Sequence, residues 1–405
     1  MRLASLQWEK TSSWNIGFDL GLWNDLVTFA LEIYNKKTTD LALQNVSIPS
    51  HTGFSSLAWQ NVGTMRNRGW ELYANTSKFA RVGKFSMKLS ANIAQNINRI
   101  EEMDASVLES LNADFNYANE SYLGRVQIGN ALGSIYGFRY KGVYAYDYDH
   151  NGYTDVSRKT YGDNTAAAAQ ERGDNYTCPI AYDANGNMIT DAKGNPLPMY
   201  FNYGGVNYQF QGGDVIYEDI NHDGQINALD IVYLGNSNPT CNGGFGVDFY
   251  YGNWSLSASF NYRIGNQIIN MARMQAEDML NNNNQSQATK WRWRKNGDVT
   301  EIPRAMNSKA ADGKTYNALA SDRYVENGDY LRFQYLRLGY NFDAKKIKKI
   351  GLSSLSLSAS ANNLWVWSKY TGTDPDVTTS GWGVATDSNK TPRSKSFTVS
   401  LNVGF

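Results

Sequence analysis

The chain has 405 residues, room for two or three soluble domains or for one large barrel. Its 38 Lys and Arg balance 38 Asp and Glu, so no global field steers it toward nucleic acid or acidic polymers. No apolar run approaches the roughly 20 residues of a membrane helix, and the mean hydropathy of −0.52 argues against a helical membrane protein.

A transmembrane barrel escapes that test, because only alternate strand residues must be apolar. The aromatic content (27 Tyr, 16 Phe and 11 Trp) suits water–lipid boundaries, where a ring with one polar handle is stable.

After Met1 the chain reads Arg2-Leu3-Ala4-Ser5-Leu6-Gln7, which carries no secretory signal. A barrel must be exported, so this reading expects a piece of a longer protein lacking its signal peptide and N-terminal part. Period-two strands then begin. Trp14, Ile16, Phe18, Leu20 and Leu22 place one at 13–23, and a tight Asn24-Asp25 link leads to a second at 26–36. A long connection precedes strands at 69–77 and 85–97, themselves joined by a short 78–84. A large insertion then occupies about 98–242.

Inside that insertion one motif carries coordination chemistry. Asp219-Ile220-Asn221-His222-Asp223-Gly224-Gln225-Ile226-Asn227-Ala228-Leu229-Asp230 matches a twelve-position EF-hand-type loop. Asp219, Asn221 and Asp223 offer side-chain oxygens at the first, third and fifth positions, and Gly224 permits the sharp turn. The Gln225 carbonyl, Asn227 and Asp230 complete the set. Calcium prefers such oxygen ligands, so a structural Ca2+ is expected; the alternative is an Asp/Asn/Gly-rich turn without metal. Either way the motif stiffens a loop and catalyses nothing. Asp147, Asp149, Asn151, Gly152 and Asp155 begin the same pattern, but Arg158 stands in the twelfth place. Asp183-Ala184-Asn185-Gly186 and Asp191-Ala192-Lys193-Gly194 read as tandem hairpin turns. Cys178 and Cys241 lack CxxC spacing and read either as two thiols or as one disulfide.

Strands resume at 243–250 and 254–263 around a tight Tyr251-Gly252-Asn253 link. The long 264–330 connection holds Trp291, Trp293 and Arg304, and a later loop holds Trp382. These four are candidates for contact with a sugar-bearing substrate, the alternative being loop packing or girdle anchoring. Strands at 331–342, 354–364 and 397–405 complete nine. In the first of these the apolar phase slips between Tyr335 and Leu336, through either a bulge or a strand half that leaves lipid. No catalytic constellation emerges, so no enzyme is expected.

Two features favour a membrane barrel over a sandwich. The polar face of these strands is mostly Ser, Asn, Gly and Thr, as in a wet lumen, with Lys88 and Glu71 as exceptions. The connections also alternate strictly between short and long, as do periplasmic turns and extracellular loops. That parity puts the C-terminus in the periplasm and the EF-hand-type loop outside the cell. Nine is odd, whereas bacterial single-chain barrels have an even strand count, so the reading favours a chain cut from a larger barrel.

Several phrases resemble the SusC/RagA-type TonB-dependent outer-membrane transporters. Tyr34-Asn35-Lys36-Lys37-Thr38-Thr39-Asp40-Leu41 resembles the family's Y-x-K-x-T-x-D-L signature, and Asn67-Arg68-Gly69-Trp70-Glu71-Leu72 its N-x-G-x-E-L. Gly133-Ser134-Ile135-Tyr136-Gly137-Phe138, Gly328-Asp329-Tyr330-Leu331-Arg332 and Tyr370-Thr371-Gly372-Thr373-Asp374-Pro375-Asp376-Val377 are similar to further blocks in the same order. The resemblance implies an all-β, antiparallel transmembrane β-barrel, with this chain as the C-terminal portion of a 22-stranded wall bearing long extracellular loops. It also implies an N-terminal plug, a TonB-contacting segment and a SusD-like lipoprotein lid that captures glycans or peptides. The chain shows neither plug nor TonB segment. The expected function is energised uptake of a large nutrient across the cell outer membrane, in contact with its lipid. The rivals are a non-energised pore, a surface adhesin and a soluble carbohydrate-binding β-sandwich.

Overall fold

The computed structural model describes residues 6–47, 56–105, 108, 122, 127–147, 177–203, 206–280, 284–306, 316–380 and 383–405. Nine long strands form one antiparallel sheet in sequence order: β1 (Lys10–Leu22), β2 (Val27–Ser47), β3 (Ser56–Thr76), β4 (Phe85–Met103), β5 (Cys241–Tyr251), β6 (Trp254–Ile264), β7 (Tyr330–Asn341), β8 (Ser354–Ser368) and β9 (Ser396–Gly404). A short strand, Phe79–Val82, pairs with β4. All nine expected strands are present.

Register shows why the alternation matters. Leu89, Val247, Ala258, Leu336, Ala361 and Phe397 lie directly opposite one another across β4 to β9, one continuous apolar row. The neighbouring row on the other face is Lys88, Asp248, Ser257, Arg337, Ser360 and Thr398. Lys88, an exception in the sequence, therefore faces Asp248 across the lumen side. The apolar face is left open: Phe18 is 62% exposed and Val399 is 74% exposed. An apolar face of this extent, fully exposed to water, is a liability; against lipid it is the stabilising surface of a barrel wall.

Two turns close the short end of the wall. Trp23, Asn24 and Asp25 take φ of +54°, +54° and +58°, the hand that lets a tight link follow the strand twist. Gly252 (φ +56°) and Asn253 join β5 to β6, with Tyr251 opposite Trp254.

Three strands run further than the alternation indicates. β2 and β3 each span 21 residues, about twice the 9–11 that cross a bilayer, and β4 reaches Met103. Their outer halves run beyond the bilayer span, where Thr38, Val62, Thr64 and Ile100 are buried, so no lipid-facing row imposes the apolar period that marks a strand. The Tyr34–Leu41 phrase is therefore strand, with a bulge at Asp40 (φ +55°), whose carbonyl accepts Asn61 Nδ2 at 2.6 Å. Tyr34 faces Gly69, where a Cβ would meet the Tyr34 hydroxyl at 2.6 Å; two of the resembling phrases thus meet in one contact.

The phase slip in β7 is a bulge. Phe333 pairs with Phe260 and Tyr335 with Ser259, leaving Gln334 extra, and on the other side Gln334 lies against two residues of β8, Asn363 and Leu364.

The long connections are a folded unit, and it holds most of the buried residues. The insertion begins after Met103 and ends before Cys241, a little inside the 98–242 expected. Tyr136, Phe138, Phe201, Phe210, Tyr217 and Tyr316 form its core, with Tyr208 stacked on Tyr316 at 4.1 Å. Parallel and antiparallel strand fragments bind the connections to one another: Gln267–Asn270 sits between Val325–Asn327 and Val384–Asp387, from three different stretches of chain. This cap stands on the end of the wall where the long connections emerge, the extracellular end.

Candidate functional site

The EF-hand-type sequence lies on the cap as a tight turn. His222 (φ +57°) and Gly224 (φ +81°) make the sharp turn; a Cβ on Gly224 would also meet Ala181 Cβ at 2.9 Å. Asp219 Oδ2 accepts the Gly224 amide at 2.8 Å, and Asp223 Oδ1 accepts that of Gln225 at 2.8 Å. Asn221 Nδ2 donates to Asp223 Oδ2 at 2.9 Å. Asn227 caps the short helix Ala228–Asp230, and fully buried Asp230 accepts the amides of Ile220 and Asn227, both at 2.8 Å. Asp230 therefore ties the two ends of the loop together.

Each side-chain oxygen with a backbone donor keeps a second lone pair, so the oxygen donor set still suits a hard cation. Among the described residues, no three His, Cys, Asp or Glu side chains converge as around a metal ion. Burial, with the Asp223 charge secondary, raises the Asp219 pKa; burial, with Asp219 and Asp223 secondary, raises that of Asp230. An acid with a raised folded pKa adds stability below its unfolded value of 3.8 and loses it as pH rises through the raised value. In a chelator, intrinsic-rate-corrected amide exchange over 219–230 should therefore be slower near pH 3.5 than at pH 7. Equal protection at both would contradict the raised values.

The four substrate candidates divide. Trp291 ends a short helix, Gln287–Trp291, and is 78% exposed. Trp293 is only 9% exposed: its Nε1 donates to the Ala145 carbonyl at 3.1 Å and its ring lies over Gly213. Arg304 is held inside the cap, its Nε 2.7 Å from Asp214 Oδ1 and its Nη2 2.8 Å from the Tyr208 hydroxyl. Burial opposes the Arg304 charge, but Asp214 and Tyr208 outweigh it and leave the guanidinium more basic than usual. Trp293 is turned into the cap, while Arg304, 24% exposed, has its guanidinium engaged by Asp214 and Tyr208. Trp382 lies outside the described residues, as do Asp149, Asn151, Gly152, Asp155 and Arg158.

A second charged network is one that sequence reading did not anticipate. Arg273, Glu277, Arg323 and Glu326 form a chain of pairs at 3.0, 3.2 and 2.9 Å, and Glu326 accepts the Thr371 amide at 2.8 Å. Asp374 pairs with Arg332 of β7, and Asp376 with Arg263 of β6 and Arg393. Burial works against the Asp374 charge, yet the Asp376 amide and Arg332 hold its pKa below the usual value. The Asp374-Pro375-Asp376 turn is thus a clamp between cap and wall. No disulfide joins Cys178 to Cys241.

No family model matches the chain. TonB-dependent receptor P39 of Formosa agariphila is 30% identical over 423 residues, covering 99% of this chain and 36% of that protein. TonB-dependent receptor SusC of Bacteroides thetaiotaomicron is 26% identical, covering 99% of this chain and 32% of its own length. Among solved structures, the RagAB peptide transporter superposes with a TM-score of 0.67 at 21% identity over 98% of this chain and 36% of that one, a likeness of fold. This chain thus spans about a third of the length of the curated relatives it matches. Those relatives are receptors and transporters by name. With the apolar outer row, the polar inner row and the relatives in agreement, this chain is an outer-membrane β-barrel wall that is similar over nearly its whole length to SusC/RagA-type TonB-dependent receptors.

Proposed function

We propose that this chain supplies wall and extracellular cap to a transporter that imports a large nutrient, a glycan or a peptide, using TonB energy beneath a SusD-like lipoprotein lid. The observation that carries this reading is the cap itself: a folded unit with its own core, clamped by Asp374 and Asp376 onto strands whose inner face is polar. A passive pore has no need of such a structure. In this reading the plug and the TonB-contacting segment lie in sequence outside these 405 residues. Deleting the gene in the native host should abolish uptake of one nutrient class, tested with fluorescent oligosaccharides and peptides. A protonophore should abolish the same uptake. Uptake that survives the protonophore would mean a passive pore, and unchanged uptake in the deletion would mean an adhesin.

Within the same reading the 219–230 loop holds a structural Ca2+. Three carboxylates gathered in one turn, two of them with pKa values raised by burial and secondarily by one another, support it. Extracellular calcium modules bind at about 0.1–1 mM. Calcium at 5 mM should slow amide exchange over 219–230 at neutral pH, and Asp219→Ala should remove the effect. No change on adding calcium to the unmutated protein would leave only a stiff turn.

A further inference from the structure

Residues 290–295 put four cations, Lys290, Arg292, Arg294 and Lys295, around two tryptophans. The backbone beneath them is pinned. Trp293 donates its amide to the Ile302 carbonyl at 2.9 Å, and Thr300 Oγ1 donates to the Trp291 carbonyl at 2.6 Å. The buried Trp293 anchors the stretch from below, so the exposed Trp291 ring rides on fixed backbone. The cations find only neutral acceptors: Arg292 Nη1 reaches the Thr289 carbonyl at 3.3 Å and Arg294 Nη2 the Lys290 carbonyl at 2.9 Å. Asp298, the adjacent carboxylate, is turned to the backbone amides of Arg294 and Lys295, at 2.9 and 3.1 Å. Among the described residues none of the four cations forms an ion pair.

We propose that this face of the cap binds an acidic glycan, a chain of sugar rings bearing sulfate or carboxylate. A sugar ring has an apolar face that stacks on an indole, and its edge substituents would meet the surrounding cations. A protein partner fits less well, since protein interfaces are depleted in Lys and cover about 800 Å² per side. One ring among four charges matches one or two sugar units. The proposal deepens the uptake reading and rests on it only in treating the glycan as cargo.

The probe is dextran sulfate against uncharged dextran of equal length, titrated onto the detergent-purified receptor that carries this chain. Dextran sulfate should bind at least about tenfold more tightly than dextran at low salt, with the difference shrinking toward 1 M NaCl. The double variant Lys290→Gln with Lys295→Gln, both exposed, should lose about tenfold on dextran sulfate and nothing on dextran. Trp291→Ala should weaken both sugars. Heat-modifiable migration verifies that each variant is folded. Equal affinity for the two dextrans, or an unchanged double variant, would overturn the proposal and leave the uptake reading intact. Tighter binding of lipopolysaccharide micelles than of dextran sulfate would overturn it in favour of a neighbouring lipid. So would loss of an acidic copurifying protein from a double variant that still binds dextran sulfate. If uptake proves specific for peptides while dextran sulfate still binds here, the patch stands and the cargo assignment falls.

Discussion

Asp214→Ala is expected to open the cap while leaving the barrel wall assembled. Asp214 is fully buried and receives four donors: Arg304 Nε at 2.7 Å, the Tyr208 hydroxyl at 2.7 Å, the Gln211 amide at 2.8 Å and Asn317 Nδ2 at 3.2 Å. Asn317 in turn accepts the Val215 amide at 2.9 Å, and the Tyr217 hydroxyl bonds the Tyr316 carbonyl at 2.9 Å. The carboxylate is therefore the common acceptor for its own turn at 208–211 and for Arg304 and Asn317, about 90 and 103 residues further along the chain. Removing it strands the Arg304 charge in a largely buried place and leaves donors without acceptors. Breaking a buried pair from one side costs about 3–5 kcal/mol, a large share of the 5–15 kcal/mol that typically holds a domain together.

Arg304→Ala should act in the same direction, and Arg304→Lys should rescue it poorly, because one ammonium cannot reproduce a fork aimed at both Asp214 and Tyr208. Amide exchange over 206–217 and 316–319 should accelerate by two orders of magnitude or more in Asp214→Ala, with heat-modifiable migration unchanged. Exchange within twofold of the original would mean that the network is dispensable.

The wall was legible because lipid imposes a period on the sequence. Where Trp14, Ile16, Phe18 and Leu20 alternate with polar residues, the strand is in the bilayer and the pattern reveals it. Where Asn35, Lys36, Lys37 and Thr38 follow, β2 continues beyond the lipid-facing rows and no apolar period survives, so its outer half reads as loop. The cap was illegible for a related reason. Its strands are two to five residues long, too short to show alternation, and its core residues, Phe138, Phe201, Leu280 and Tyr316 among them, come from stretches far apart in the chain.

Local turn chemistry did carry over. Asp183 Oδ1 accepts the amides of Asn185 and Asn187 at 2.9 and 2.8 Å, and Asp191 repeats the arrangement on Lys193 and Asn195 at 2.8 and 2.9 Å. At 219–230 the turn itself carried over, with positive φ at His222 and Gly224, because its geometry is set within twelve residues. Trp293 and Arg304 did not. Their partners Ala145, Asp214 and Tyr208 are far off in sequence, and an isolated Trp or Arg in a loop looks the same whether it anchors or binds. The Trp291–Trp293 pair offered one signal, alternation on a pinned strand-like backbone, which sends one ring in and the next out.

The orientation of the wall makes the other large prediction. Phe260 and Ser259 are neighbours near the middle of β6, yet they belong to opposite faces. Phe260 lies between Phe245 and Phe333, stacked at centroid distances of 4.9 and 4.6 Å, in the apolar face. Ser259 pairs with Gly246 and Tyr335 in the polar one. Arginine placed on the lipid side at mid-depth costs about 2–4 kcal/mol, and losing the stacked rings adds about 0.5–1.5 kcal/mol for each pair. On the lumen side the same arginine can remain in water. Phe260→Arg should therefore strongly reduce the heat-modifiable, membrane-inserted fraction recovered from outer membranes, while Ser259→Arg should leave it near the unmutated level. The two sites differ by one residue along one strand, so propensity, depth and expression are matched, and only the face differs. If both variants assemble equally well, or if Ser259→Arg is the more damaging, the apolar row does not face lipid and the wall has been read inside out.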